Sequence, residues 1–410
     1  MAEADDAAKG MLRQFRAVPA GVKWLIYLST PSTISYGYLI IAISAYFPEI
    51  GFSSGDIGIL LGANGLSFAI SAIPIGILAD RRGKKTIFLL GLFSIPPLIF
   101  VYAMTVDMLI LTIASVVAGV SEGAFMATWN ALIADQTALT TRSAAFSLSF
   151  IVGNAGFGIG MAVPSVFPIV ESWTGYTSED VHTLAFVAMS LLALSSPLAL
   201  VPVLRGFREE IHPPETMPTD ERREGRKLLY KFSAINSLIG LGAGFIIPLI
   251  PTWLYLKFGV TDELSGPLLT VSNVTIALAA LVSPTLGNKY GLVRAIVLTQ
   301  SLSTVFMLSL AFVPDAALAA TLYLIRAALM NMASPLADTF LMGIIPKEER
   351  GFASALNAIV WRLPNSASTI VGGAILAADL YDVPFYLATG FYLVSIWLFF
   401  TVFRDVKPKG

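Results

Sequence analysis

The chain has 410 residues, of which 56% are hydrophobic and 13% charged, with a mean hydropathy of +0.76 and a formal net charge of -1. Soluble domains are about 45–50% apolar and about 25% charged, so this composition excludes an ordinary soluble fold and indicates a membrane protein. The absence of cysteine excludes disulfides and thiolate sites, two histidines are too few for an imidazole metal centre, and the near-zero charge implies no nucleic-acid partner.

The first ten residues, MAEADDAAKG, are acidic and lack an apolar core, so we expect no cleaved signal and a retained first apolar segment. A helix needs about 20 apolar residues to cross a bilayer, and hydropathy predicts twelve such spans. The predicted spans are 22–48, 56–79, 86–105, 108–134, 143–169, 181–204, 229–257, 264–287, 293–313, 316–342, 352–378 and 383–403.

Lysine and arginine are concentrated on one side of these spans. With the N-terminus inside, all of the 26 cations except Lys257, Arg326 and Arg362 fall in cytoplasmic segments. This bias predicts an even number of spans and cytoplasmic N- and C-termini. The predicted organisation is a cytoplasmic N-terminal segment 1–21, a six-helix bundle 22–205, a cytoplasmic linker 206–228, a second six-helix bundle 229–403 and a cytoplasmic tail 404–410.

The two halves also repeat one another weakly. Matching residues in the halves recur at one constant separation, and two parallel halves around a central site are an architecture found among transporters. The pairs 208 residues apart are Gly51 and Gly259, Gly58 and Gly266, Gly83 and Gly291, and Arg142 and Arg350.

Residues 76–85, GILADRRGKK, lie between the second and third spans. They resemble the signature loop of the major facilitator superfamily, G-x-L-A-D-R-x-G-R-R. The resemblance implies an all-α membrane protein with twelve transmembrane helices in two pseudo-symmetric six-helix bundles. It also implies a monomeric secondary active transporter of the plasma membrane that works by alternating access, is not an enzyme, and needs no cofactor or metal.

In the family, the aspartate matching Asp80 approaches a helix N-terminus of the other half, where the helix dipole favours an anion. Glycines at 76 and 83 allow close packing and a tight turn. The loop cations keep the loop in water, and the sequence leaves open which of them pairs with Asp135. For Lys84 and Lys85 we favour a role limited to fixing the orientation in the membrane. The residues expected to form a cytoplasmic gate are Gly76, Asp80, Arg81, Gly83, Asp135, Arg142 and Arg350.

Three charged residues fall near the middle of predicted spans, namely Glu122, Arg326 and Arg362. Each costs about 2.5–3.5 kcal/mol at a helix centre on insertion scales, so we expect them to face a wet cavity or each other. Two arginines against one glutamate leave a positive charge that an anionic substrate would balance. Glu122 is the candidate proton carrier. The predicted substrate-binding residues are Glu122, Arg326, Arg362, Tyr36, Tyr323, Trp361, Asn154 and Asn236.

Departures from the family pattern bear on the substrate. Many proton-driven members carry an arginine where this chain has Ser115, and drug exporters often carry an acid in the first span, which here has none before Glu49. These differences favour an organic-anion transporter coupled to protons, with a small-molecule substrate, a proton or other coupling ion and the lipid bilayer as partners. The alternative is a proton-coupled exporter of multiple drugs or amphipathic compounds. An intramembrane enzyme and a transport-inactive receptor or scaffold are the remaining alternatives.

Overall fold

The computed structural model describes residues 15–207, 219–345 and 350–406, and within these ranges the chain is helical, with no β-strand. The long helices are, in chain order, α1 (Ala20–Ile41), α2 (Ser54–Arg82), α3 (Lys84–Met104), α4 (Met108–Asp135), α5 (Leu139–Ala162), α6 (Ser178–Arg205), α7 (Thr219–Gly244), α8 (Asp262–Tyr290), α9 (Leu292–Ser309), α10 (Ala316–Ile344), α11 (Arg350–Ala377) and α12 (Val383–Phe403).

Short helical segments continue four of these helices. A π-helical turn (Ala42–Tyr46) and a short helix (Phe47–Glu49) follow α1, and a 3-10 turn (Leu310–Phe312) follows α9. A 3-10 turn and a second helix follow both α5 and α7. These segments are Val163–Val166, Phe167–Thr174, Ile247–Leu249 and Ile250–Phe258.

Polar side chains begin several helices. Asp107 accepts hydrogen bonds from the first turn of α4, and Asp315 does the same for α10. Thr177 and Asp180 form a reciprocal capping box at the start of α6. These side chains satisfy backbone N–H groups that have no partner within a helix, so the sequence fixes where the apolar segments begin.

Ten helical segments of the described residues are long and apolar enough to cross a membrane. They include every long helix named above except α8 and α11. The chain is therefore an all-helical, multi-pass membrane protein, whereas the full count of twelve spans stays a prediction.

The chain divides into two compact units. The first comprises the described residues within 1–41 and 67–212, and the second comprises those within 42–66 and 213–410. Residues 42–66, which we expected in the first bundle, group with the second unit, where Thr252 donates a hydrogen bond to the backbone of Ser44 and Glu49 accepts one from the N–H of Asp262. The division into two six-helix bundles stays a prediction.

In the first unit, α1 packs on α5 and α6, and α3 packs on α4 and α6. The α1–α5 contact is a close backbone approach, since a methyl group added to Gly160 would lie 1.9 Å from the carbonyl oxygen of Ile34. Phe125 stacks on Trp129 with ring centroids 4.9 Å apart. Small residues at a helix contact and aromatic packing within the bundle suit association in lipid, where burial alone provides little driving force.

In the second unit, α7 packs on α11 and α12, α9 packs on α10 and α12, and α8 packs on α10. An aromatic cluster fills its core, and its rings lie 5.1–6.3 Å apart. Its members are Phe232, Phe340, Phe399 and Phe403.

The separation of 208 residues recurs in the helix boundaries. The starts of α2 and α8, of α3 and α9, and of α4 and α10 are each 208 residues apart. Gly83 and Gly291, which precede α3 and α9, both adopt positive φ, at 98° and 80°. These equal spacings support the internal repeat, while the superposition of the two halves stays a prediction.

Candidate functional site

Glu122 and Tyr36 form a hydrogen-bonded pair in the first unit. The hydroxyl of Tyr36 on α1 donates to Oε2 of Glu122 on α4 at 2.9 Å, and both side chains are half-buried. An ionised carboxylate can only accept hydrogen bonds, and a hydroxyl is a donor suited to it. The fold therefore brings together a predicted proton carrier and a predicted cavity residue 86 positions apart in sequence.

Arg326 on α10 lies inside the second unit with 4% of its surface exposed. Its Nη2 donates to the hydroxyl of Tyr392 on α12 at 2.7 Å, and its guanidinium lies 5.7 Å from the centre of the same ring. Tyr323, one turn earlier on α10, is also buried and hydrogen-bonds with Ser272 of α8. A hydrogen bond and a cation–π contact thus hold Arg326 in place.

Arg362 on α11 is half-buried and lies beside α2. A methyl group added to Gly65 would come within 3.4 Å of Nε of Arg362 and 2.0 Å of Oγ of Ser366. The preceding residue, Trp361, approaches α7 through its backbone, since a methyl group on Gly240 would lie 2.4 Å from its carbonyl oxygen. These two residues therefore lie where α11 approaches α2 and α7.

The two predicted cavity asparagines make protein contacts. Asn154 donates to the carbonyl of Phe150 on its own helix at 2.8 Å. Asn236 on α7 donates to Oδ1 of Asn357 on α11 at 2.9 Å and lines an internal void of about 20 Å³ with Gln300 and Ser395. Such a void has room for about one water molecule. Their role as substrate ligands stays a prediction.

The signature loop corrects one expectation. Lys84 and Lys85 were expected mainly to orient the protein, but Lys84 binds the last residue of α4 and Lys85 binds a residue that follows α6. Nζ of Lys84 lies 2.8 Å from Oδ2 of Asp135, and both side chains are largely buried, at 16% and 6% exposure. Lys85 donates to the carbonyl of Phe207. The sequence left open which loop cation pairs with Asp135 and gave no sign of the Phe207 contact, because these partners lie 51 and 122 residues further along the chain.

The other predicted gate residues of the first unit lie at the same end of the helices. Arg142 donates to the carbonyls of Ala134 and Thr137 at 3.0 and 3.2 Å and so caps the end of α4. Asp80 and Arg81 are exposed at the end of α2. Gly76 lies on α2, where an added methyl group would meet Ala127 at 4.0 Å, an ordinary contact distance.

Gly83 joins α2 to α3 with a φ of 98°, a conformation that favours glycine. Arg350 begins α11, and its side chain lies outside the described part of the structure. A gating role for these residues remains a prediction.

Sequence reasoning missed Tyr392, the hydrogen-bond partner of Arg326. It lies in α12, whose surrounding residues are almost all apolar, and it is separated from Arg326 by 66 residues. Nothing in a single sequence distinguishes it from the other tyrosines of the apolar spans. Among the described residues, no three histidine or acidic side chains group closely enough to hold a metal ion.

The helical architecture, the apolar spans and the charged groups held within them define a multi-pass membrane transporter. The sequence profile described as Major Facilitator Superfamily matches residues 25–235 and 232–410. The chain belongs to this superfamily, which confirms the expectation drawn from residues 76–85.

Two curated relatives match most of the chain. The Quinolone resistance protein NorA of Staphylococcus aureus is 25% identical over 385 residues, which cover 88% of this chain and 91% of that protein. Multidrug resistance protein 1 of Bacillus subtilis strain 168 is 25% identical over 388 residues, covering 89% and 92%.

A solved structure shares the fold. It is a bacterial homolog of the human lysosomal transporter Spinster, with a TM-score of 0.74, 15% identity, and coverage of 94% of this chain and 96% of that chain.

Proposed function

We propose that this protein is a proton-coupled exporter of amphipathic compounds, including cationic ones and quinolones, in the plasma membrane. The observation that carries the proposal is the Tyr36–Glu122 pair, which holds a carboxylate near the middle of α4. The names of the two resistance-protein relatives, which match almost nine-tenths of the chain, support the same class of substrate. The proposal therefore favours an exporter of drugs or amphipathic compounds over a transporter of organic anions.

The proposed exchange follows from the chemistry of one carboxylate. An ionised Glu122 attracts a cationic solute and accepts the hydrogen bond of Tyr36. A protonated Glu122 carries no charge and no longer holds the cation. Proton and solute therefore compete for the same group, which couples proton entry to solute release if the group is exposed to the two sides of the membrane in turn.

The burial of Arg326 weakens the case for an organic anion as the transported solute. That expectation depended on two arginines facing the substrate against one glutamate. Arg326 is 4% exposed and is held by Tyr392 inside the second unit, which supports a role within the bundle. Arg362 is half-buried, and its guanidinium could contact an anionic solute, so an organic anion is the second candidate substrate.

Transport by purified protein in vesicles tests the proposal. With an imposed pH gradient, we expect proton-driven movement of a fluorescent lipophilic cation and of a fluoroquinolone. Glu122→Gln keeps the size of the side chain but removes its titration, so it should reduce proton-driven exchange by at least about tenfold. The matched control is Glu179→Gln, which removes an exposed carboxylate at the start of α6 and should change little.

Full proton coupling in Glu122→Gln would refute the role of Glu122. The two candidate substrates are separated by Arg362→Gln and by a melting screen against lipophilic cations and organic carboxylates, because a ligand of the native state raises its melting temperature. Cation transport that survives Arg362→Gln supports export of amphipathic compounds. Stabilisation by carboxylates alone, lost in Arg362→Gln, would favour the organic anion.

A further inference from the structure

The second unit contains a buried cation that forms no ion pair with an acidic side chain of the described residues. We define the arginine–tyrosine cluster as Tyr323, Arg326 and Tyr392. All three residues are buried, and Arg326 bonds to the Tyr392 hydroxyl at 2.7 Å. The Oγ of Ser303 donates to the backbone carbonyl of Arg326, not to its side chain, so it leaves the charge unaffected.

Two buried donors, one in the cluster and one a turn from Tyr392 on α12, lack an acceptor among the described residues. Nε of Arg326 and Oγ1 of Thr389 are both buried without a hydrogen-bond partner among the described residues. Thr389 is 6% exposed and precedes Tyr392 by three positions on α12, so the two side chains lie on the same face of that helix. The Tyr392 hydroxyl accepts from Arg326, which leaves its own hydrogen for a further acceptor.

No carboxylate of the described residues forms an ion pair with Arg326. The acidic residue of the same helix, Asp338, is twelve residues from Arg326, about 18 Å along the axis at 1.5 Å per residue. The Tyr392 ring offsets part of the charge through its quadrupole. A guanidinium this deep in a membrane span is otherwise expensive.

We propose that the arginine–tyrosine cluster binds a small monovalent anion, a halide or a short carboxylate, as a resident ligand of the second unit. An anion accepts from Nε of Arg326, from Thr389 and from the Tyr392 hydroxyl, and it neutralises the guanidinium. A water molecule would accept some of these hydrogen bonds but would leave the charge uncompensated. The site lies within one unit and involves neither Glu122 nor Tyr36, so it stands independently of the proposed transport activity.

The melting temperature of the purified full-length protein tests the site. At constant ionic strength and pH, chloride, bromide, acetate and bulky gluconate are compared as sodium salts over a range of concentrations. We expect a saturable rise in melting temperature with chloride or acetate and none with gluconate. A larger rise with chloride identifies the ligand as a halide, and a larger rise with acetate identifies it as a carboxylate. Equal melting in all four salts would overturn the proposal.

Variants locate the effect. Arg326→Gln should abolish the anion dependence, and Thr389→Val should reduce the apparent affinity several-fold. Arg404→Gln is the matched control, because it removes an exposed guanidinium that pairs with Asp405 at the end of α12, and it should keep the full dependence. An undiminished response in Arg326→Gln would exclude this site.

A measurement on the unchanged protein covers the case in which Arg326→Gln does not fold. Crystals grown in bromide should show an anomalous-scattering peak within hydrogen-bond distance of Nε of Arg326 if the ligand is a halide. If acetate is the stabilising ion, carbon-13 acetate should show magnetisation transfer to the Arg326 side chain. Water alone at this position, under saturating concentrations of the stabilising anion, would refute the proposal.

Discussion

The hydroxyl of Tyr36 on α1 donates a 2.9 Å hydrogen bond to Oε2 of Glu122 on α4. The contact joins helices that otherwise pack elsewhere, because α1 packs on α5 and α6, and α4 packs on α3 and, at Gly123, on α2. The bond therefore links two helices that share few other contacts within the first unit. A change in the protonation of Glu122 alters the hydrogen bond between these helices directly.

Removal of the Tyr36 hydroxyl should weaken proton-driven exchange. Hydrogen bonds to charged groups contribute about 1.5–3 kcal/mol, so Tyr36→Phe should lower the exchange rate by about tenfold or more while the protein still folds. Tyr27→Phe, which removes an exposed hydroxyl from the same helix, is the control and should behave like the unchanged protein. The exchange rates of both variants are measured in vesicles across a range of pH gradients. Unchanged exchange in Tyr36→Phe would argue against a functional role for the bond.

Separation of the Lys84–Asp135 pair should destabilise the first unit. The two side chains are 16% and 6% exposed, and a single partner left in such a site keeps an uncompensated charge. Lys84→Met or Asp135→Leu alone should therefore lower the unfolding free energy by about 3 kcal/mol, and the double variant should lose less than either. Arg404→Gln breaks an exposed pair, with exposures of 58% and 88%, and should change stability little. Thermal unfolding in detergent provides the comparison, and a double variant as unstable as the sum of the two singles would contradict a coupled pair.

A methyl group at Gly160 should disrupt the contact between α1 and α5. The added atom would lie 1.9 Å from the Ile34 carbonyl oxygen and 2.9 Å from the backbone nitrogen of Tyr38, so the helices must move apart. We expect Gly160→Ala to cost at least about 2 kcal/mol, at the upper end of overpacking effects. Gly153→Ala on the same helix meets nothing within 4 Å and should be neutral or stabilising. Equal melting temperatures of the two variants would show that the contact is looser than the distances indicate.

Labelling should establish the orientation of the chain in the membrane. Because the sequence contains no cysteine, single cysteines can be introduced without a background signal. Tyr176 lies in an exposed loop predicted to be outside the cell, and Arg82 lies in the exposed signature loop, predicted to be in the cytoplasm. The two test variants are Tyr176→Cys and Arg82→Cys. We expect a membrane-impermeant maleimide to label the first in intact cells and the second only after permeabilisation. The reverse pattern would invert the predicted topology.

The signature loop shows how much of the candidate site could be predicted from the sequence. The residues of the loop and its position between two apolar segments were enough to indicate the family. They also predicted the end of the helices at which the loop lies. They did not distinguish the lysines that bind other helices from the exposed Arg81, because all of these cations look alike in a basic loop. Asp135 ends α4 and Phe207 follows α6, and only the folded chain brings those helix ends next to α3.

The same limit applies to the charged residues within the spans. Their depth along the helices was readable from hydropathy, and it singled out Glu122, Arg326 and Arg362 correctly as residues inside α4, α10 and α11. Hydropathy does not specify the direction in which a side chain points around its helix. Arg326 is bonded to Tyr392 within the second unit, which hydropathy gave no means to predict, and its expected contact with a substrate stays a prediction.

By itself, the sequence determined that this chain is a helical, multi-pass membrane protein of the major facilitator superfamily, because apolar length, charge asymmetry and the loop at 76–85 are local properties of the chain. The tertiary structure alone decided which polar side chains bind each other, since the Tyr36–Glu122 and Arg326–Tyr392 bonds join residues 86 and 66 positions apart. Such pairs depend on helix rotation and packing, which are set by many weak contacts at once and leave no local pattern in the sequence.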